Sequence, residues 1–84
     1  MIKKGEAMPV DLTQLQEGET GRISGIQGGV GLINRLDSLG IQVGVQITKI
    51  SSQYMKGPIV LQVNNTQVAI GYGMVRKILV ERKE

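Results

Sequence analysis

The chain has 84 residues, which fits a single domain. It contains neither cysteine nor histidine, and this excludes disulfides, thiolate ligands and imidazole general bases. Tyr54 and Tyr72 are the only aromatic residues, so the core is predicted to be aliphatic. The formal charge of +3 is spread along the chain, which favours a solvated surface over a nucleic-acid footprint.

The ends of the chain carry no visible targeting signal. Residues 1–8 are interpreted as a flexible lead-in and residues 9–84 as one domain. No apolar stretch approaches the roughly 20 residues needed to cross a bilayer. The protein is therefore expected to be soluble and cytoplasmic, without insertion into a membrane.

The first elements are a short helical turn and a strand. Asp11 is a candidate N-cap, and Gln14 follows at the capping-box spacing. The segment from Thr20 to Ile26 is predicted to be a strand, and Gly21 and Gly25 indicate bends or bulges in it.

A helix is predicted from about Val30 to Leu39. Gly40 occupies the position where a left-handed residue ends a helix, and Ile41 can then fold back on Leu36 in a Schellman motif. An apolar stripe is expected along one side of this helix, formed by Leu32, Ile33, Leu36 and Leu39.

Glycines lead into this helix at Gly28, Gly29 and Gly31. Their backbone N–H groups would suit an anion, but no Gly-Lys-Ser/Thr follows and no third glycine completes a dinucleotide fingerprint. Tight turning and close packing is the favoured interpretation.

The clearest β pattern is a hairpin around Asn64 and Asn65. Because asparagine tolerates positive φ, a two-residue type I′ turn is predicted between the strands Ile59–Val63 and Thr66–Ile70. This register pairs Val63 with Thr66, Leu61 with Val68, and Ile59 with Ile70.

Gly44 is predicted to turn the chain into a strand from Val45 to Ser51, and the last strand is expected at Ile78–Arg82. A turn or short 3₁₀ segment is expected at residues 71–75. Five short strands and one helix are too small for a two-sheet sandwich. They favour a mainly β fold, a small five-stranded SH3-like barrel with one short α-helix and one or two helical turns.

The order of these elements resembles the FeoA family, ferrous iron transport protein A. The resemblance covers about residues 8–82. Its most specific part is the run Gly28-Gly29-x-Gly31-Leu32-x-x-Arg35-Leu36-x-x-Leu39-Gly40-Ile41-x-x-Gly44-x-x-Ile47.

The resemblance implies an SH3-like barrel that serves ferrous iron uptake in the cytosol without being an enzyme. The partner that it implies is FeoB, a membrane transporter with a GTPase domain. Arg35, on the polar side of the helix, is a candidate partner contact because a guanidinium pairs well with carboxylates. Tyr54, Met55 and Lys56 are further candidates, since tyrosine and methionine are enriched at interfaces.

No cofactor and no metal site are predicted. Asp11, Glu17 and Glu19 are the nearest acidic group, and we interpret them as capping and turn residues. Iron would then be handled indirectly. Two alternatives stay open: a module linked to iron-dependent transcriptional regulation or nucleic-acid binding, and a factor that stimulates GTP hydrolysis through a protruding arginine.

Overall fold

The computed structural model describes residues 8–51 and 57–82. Residues 1–7 of the predicted lead-in lie outside this part of the chain. The predicted partner contacts Tyr54, Met55 and Lys56 lie outside it too.

The described residues form one antiparallel sheet of six strands in the order β1-β6-β2-β3-β4-β5. The strands are β1 (Val10–Asp11), β2 (Thr20–Ile26), β3 (Gln46–Ser51), β4 (Ile59–Val63), β5 (Thr66–Ile70) and β6 (Ile78–Arg82). The edge strands β1 and β5 are not paired with each other, so the barrel is open.

This sheet confirms the mainly β, SH3-like class. All five predicted strands are present, and β3 begins one residue later than expected. The structure adds a sixth strand, β1, in which Val10 pairs with Val80. Two residues carry no alternating pattern, so a strand of this length is visible only through its distant pairing partner.

Bends in the sheet fall where glycine and polar residues interrupt the pattern. The register between β2 and β6 shifts between Ile23 and Gly25, which places a bulge at the bend predicted for Gly25. Gly21 is paired without a shift in register, so the sheet shows no bulge there. A second shift lies between Lys49 and Ser51, where β3 pairs with β4. Such bulges increase the twist that curls a small sheet around its core.

The β4–β5 hairpin has the predicted register. Asn64 has a φ of 55°, whereas Asn65 is not among the residues with positive φ. A type I′ turn needs positive φ at both central positions, so this turn departs from the predicted type.

Three short helical segments connect the strands. A 3₁₀ helix spans Leu12–Gln14, and the Asp11 carboxylate caps it by accepting a hydrogen bond of 2.9 Å from the Thr13 N–H. Helix α1 spans Val30–Asp37, and helix α2 is a single turn at Tyr72–Val75.

The core is aliphatic, as the composition predicts, and its buried side chains come from the helical segments, from the turn after α1 and from strands β2 to β6. They are Leu12, Leu15, Ile23, Leu36, Ile41, Ile47, Ile59, Leu61, Val63, Ile70, Val75, Ile78 and Val80. Helix α1 contributes only Leu36 to this set, because the rest of its predicted apolar stripe is at least partly exposed.

A buried lysine lies among these side chains. Lys49 is 5% exposed, and it is the single buried charged residue in the described part of the chain. Its Nζ donates hydrogen bonds to the carbonyls of Leu15 at 2.7 Å and Thr13 at 3.2 Å. The ammonium thereby satisfies carbonyls at the end of the 3₁₀ helix and ties that helix to β3.

Candidate partner-binding groove

A groove with a volume of about 240 Å³ lies between helix α1, the end of β2 and the turn before β3. Most of its lining is apolar. The lining residues are Ile26, Ile33, Asp37, Ile41, Gln42 and Val43.

The sequence of α1 and its C-terminus builds this groove. Ile33 and Asp37 lie four residues apart and therefore share one side of the helix. The helix ends in a Schellman motif: the Ile41 N–H donates to the Leu36 carbonyl, and the Gly40 N–H to that of Asp37, both at 2.9 Å. Gly40 has a φ of +84°, the left-handed conformation this motif requires.

The same motif sets the floor and the far wall of the groove. Ile41 is folded back and is only 1% exposed, so it forms part of the floor. Gly44 has a φ of +94°, and its N–H donates to the Ile23 carbonyl at 2.7 Å. This turn leaves the Val43 side chain exposed to solvent.

Large apolar side chains are exposed along this groove. Val43 is 64% exposed and Ile33 is 40% exposed. Val30, one helical turn before Ile33, is 73% exposed. Val30 does not line the groove, but Ile33 and Val43 line it together. Exposed apolar side chains that share a surface are typical of a contact site, whereas isolated ones are ordinary.

Asp37 is the one ionisable residue of the lining. In the described part of the chain its carboxylate has no hydrogen bond or ion pair. The carboxylate can accept charge-assisted hydrogen bonds from an arginine or lysine that enters the groove. The volume is below the roughly 300–1,000 Å³ of small-molecule sites, so the groove suits one or two side chains of a macromolecule.

Arg35 lies elsewhere on α1. It is exposed, and its position two residues after Ile33 turns its side chain away from the groove. Its guanidinium has no ion pair in the described part of the chain. The structure therefore does not bring Arg35 and the groove residues together on one face.

The sequence patterns do not predict the groove itself. The sequence pattern places Ile33 on the apolar stripe of α1, and it gives Val43 no role. The available signal is the breadth of the apolar pattern: Val30, Leu32, Ile33, Leu36 and Leu39 surround more than one side of α1. A single sheet cannot cover all of them, so some of these side chains must face outward.

The glycines that enter α1 have different surroundings. A Cβ added at Gly28 would lie 2.5 Å from Leu32 Cδ2, so this position packs closely against the helix. Nothing lies within 4 Å of a Cβ added at Gly29 or Gly31. Close packing therefore explains Gly28 and does not explain the other two.

A second hollow, of about 180 Å³, is polar and lies on the outer face of the sheet. It is lined by Arg22, Gln46, Glu81 and Arg82. Arg82 is already engaged, because its Nε lies 3.1 Å from Glu19 Oε2 and its Nη2 donates to the Gln14 carbonyl at 2.7 Å. Because Arg82 is already bound within the chain, this hollow is a weaker candidate than the groove.

The acidic residues near the N-terminus stabilise local structure. Asp11 caps the 3₁₀ helix, and Glu19 accepts from the Gln16 N–H at 2.9 Å besides pairing with Arg82. Within residues 8–51 and 57–82, no group of three or more acidic, histidine or cysteine side chains is arranged to hold a metal ion. Over the same residues, no helix is long and apolar enough to span a membrane.

Comparison with known proteins places this fold and sequence in a family. The family model described as the FeoA domain matches residues 10–82. A protein of Methanocaldococcus jannaschii named "Putative Fe(2+) transport protein A" is 36% identical over 69 residues, which is 82% of each chain.

Solved structures agree with this match. The crystal structure of an iron uptake regulatory protein (FeoA) is similar with a TM-score of 0.82 and 30% identity, over 90% of this chain and 99% of that one. A FeoA-like protein from Clostridium acetobutylicum has a TM-score of 0.83 at 19% identity, over 94% and 92% of the two chains.

The same fold occurs inside larger regulators. A manganese-dependent transcriptional repressor is similar with a TM-score of 0.84 and 18% identity, over 93% of this chain but 44% of the repressor. At that identity the likeness shows the fold alone. The family match and the 36% identical relative show more, and on them this chain belongs to the FeoA family.

Proposed function

We propose that this protein is a non-enzymatic accessory protein of ferrous iron uptake that binds the cytoplasmic part of a FeoB-type transporter. The observation that carries the proposal is the FeoA match over residues 10–82. The name of the M. jannaschii relative supports the link to Fe(2+) transport. In this proposal the chain binds no iron or cofactor itself and acts on the transporter by contact.

The groove beside α1 is the proposed docking surface. Its exposed apolar walls, Ile33 and Val43, would be covered by an apolar segment of the transporter. A lysine or arginine next to that segment would pair with the Asp37 carboxylate, which has no ion pair in the described part of the chain. An apolar contact with one charged pair gives both affinity and orientation.

Arg35, Tyr54, Met55 and Lys56 remain predicted contacts of the same complex. Arg35 points away from the groove, so it would touch the transporter only if the transporter wraps around α1. A charge reversal, Arg35→Glu, tests this directly. Unchanged affinity would remove Arg35 from the contact surface without affecting the groove.

The main experiment measures binding of the full chain to the purified soluble GTPase domain of a FeoB-type transporter by calorimetry. Val43→Asp introduces a charge on the apolar wall and should weaken binding about tenfold or more. The side chain is 64% exposed, so the variant should keep its fold, which circular dichroism and thermal melting check.

Met8→Asp is the matched control, because Met8 is 66% exposed and does not line the groove. It should bind like the wild type. Equal weakening in both variants would argue against the groove as the docking surface. A wild-type chain that never binds the transporter domain would sink the proposed function itself. The same titration with GTP hydrolysis as the readout separates passive binding from stimulation.

A role in transcriptional regulation or nucleic-acid binding is the alternative, and the repressor's shared fold keeps it in view. It predicts binding to DNA or RNA that weakens steeply as salt rises. The net charge of +3 gives such binding little support.

A further inference from the structure

The two edges of the sheet are protected to very different degrees. At one edge β1 has two residues, follows Pro9 and carries Asp11, and each of these features discourages pairing with another strand. At the other edge β5 has five residues, Thr66 to Ile70, with no charge, no proline and no bulge in its pairing with β4. In length, charge and proline content, β5 therefore lacks the protections that β1 has.

The backbone of β5 offers hydrogen bonds along this open edge. In a two-residue hairpin the pair that flanks the loop is hydrogen-bonded, and bonded pairs then alternate along the ladder. Thr66, Val68 and Ile70 therefore direct their backbone groups toward β4, whereas Gln67 and Ala69 direct theirs outward. Neither of these two residues has another backbone hydrogen bond in the described part of the chain, and both are exposed.

We propose that β5 pairs antiparallel with β5 of a second copy of this chain, about a two-fold axis at Val68. This register places Gln67 opposite Ala69 of the other copy and Ala69 opposite its Gln67. Each of these two pairs then exchanges two N–H···O bonds, and every outward group of the edge is satisfied. Val68 faces its own counterpart as the close, non-hydrogen-bonded pair between them.

The strand is self-complementary in side chains as well. It carries no charge, so no like charges meet when two copies pair, a penalty that self-pairing would otherwise bring. Val68 is half-buried and packs at the margin of the core, so the Val68 pair would extend the apolar face of β5. A second copy supplies this symmetric match without any further assumption about a partner. The pairing is independent of the proposed transporter contact, since β5 contributes no residue to the lining of the groove.

The test uses the absence of cysteine in the full chain. In the non-hydrogen-bonded pair the two Val68 Cα atoms would lie about 4.5 Å apart, which a disulfide spans. The two Ala69 residues would face Gln67 instead of each other and lie farther apart. Under mild oxidation, Val68→Cys should therefore give about tenfold more crosslinked dimer than Ala69→Cys.

Two further measurements make the outcome decisive. Ala69→Pro removes an outward N–H that the β4 ladder does not use, so the double variant Val68→Cys/Ala69→Pro should lose the crosslink while its circular dichroism stays that of a folded sheet. Sedimentation of the wild type should show a dimer that grows with concentration. Equal crosslinking of the Val68→Cys and Ala69→Cys variants, or a wild type that stays monomeric at millimolar concentration, would overturn the proposal. The second result would mean that any strand added to this edge comes from another protein.

Discussion

The two helical segments that precede β3 place their apolar residues in opposite ways. The 3₁₀ helix has three residues, yet Leu12 and the adjoining Leu15 are 0% and 2% exposed. Helix α1 has eight residues, yet it buries only Leu36 and leaves Val30 73% and Ile33 40% exposed. The shorter segment therefore packs into the core, whereas the longer one lies largely on the surface.

Their polar groups follow the same division. Carbonyls at the end of the 3₁₀ helix receive a buried ammonium from Lys49. The Asp37 carboxylate at the end of α1 is left for solvent or for a partner. The polar groups of the 3₁₀ helix are therefore hydrogen-bonded within the chain, whereas the carboxylate at the end of α1 is available to another molecule. Substitutions in the 3₁₀ helix should lower stability more than substitutions on the exposed side of α1.

The largest expected effect is the loss of stability when the 3₁₀ helix is altered. Leu12→Ala removes a fully buried side chain and should lower the free energy of unfolding by about 2–5 kcal/mol. Val30→Ala, at a position 73% exposed, should change it by no more than about 0.5 kcal/mol. Urea unfolding of both variants measures the difference. Equal losses of unfolding free energy in the two variants would contradict the distinction between the buried 3₁₀ helix and the exposed side of α1.

The buried lysine comes next. Lys49→Met keeps an unbranched apolar side chain but leaves the Leu15 carbonyl without its donor, so the unfolding free energy should fall by about 1–3 kcal/mol. Lys77→Met is the control, because Lys77 is exposed. Thermal melts of the two variants give the comparison. A Lys49→Met chain as stable as the wild type would mean that apolar burial compensates for the lost ammonium.

The smallest effects concern α1 itself, where two glycines should respond with opposite signs. Gly40→Ala places a side chain at a φ of +84° and should cost about 1–2 kcal/mol. Gly31→Ala meets nothing within 4 Å and replaces a helical glycine, so it should stabilise the fold by about 0.5–1 kcal/mol. Chemical denaturation resolves both shifts. A shared sign would contradict the assignment of Gly40 as the left-handed residue that ends α1.

Much of the fold follows from local sequence patterns. The β4–β5 register is fixed by the alternation of apolar residues on both sides of Asn64, and the end of α1 by Gly40 and Ile41. Even the inward direction of Lys49 follows from its alternation with Ile47 along β3. These features depend on neighbours within a few residues, which the sequence displays directly.

The features that could not be predicted depend on residues far apart in the chain. β1 exists because Val10 pairs with Val80. The carbonyls that accept from Lys49 belong to residues more than thirty positions earlier. The groove exists because α1 is seated so that Leu36 faces inward and Ile33 does not, and no local pattern decides between these two positions on a broad apolar helix.

The position of β6 has a consequence for how the chain folds as it is synthesised. β6 is the last strand in sequence but lies between β1 and β2 in the sheet. The β3–β4–β5 meander has all of its ladder contacts as soon as residue 70 has emerged from the ribosome, whereas β1 has no neighbour until residues 78–82 follow. In a nascent chain, the β3–β4–β5 meander can therefore be paired while β1 is still unpaired. The five residues of β6 then pair with both β1 and β2 and complete the sheet.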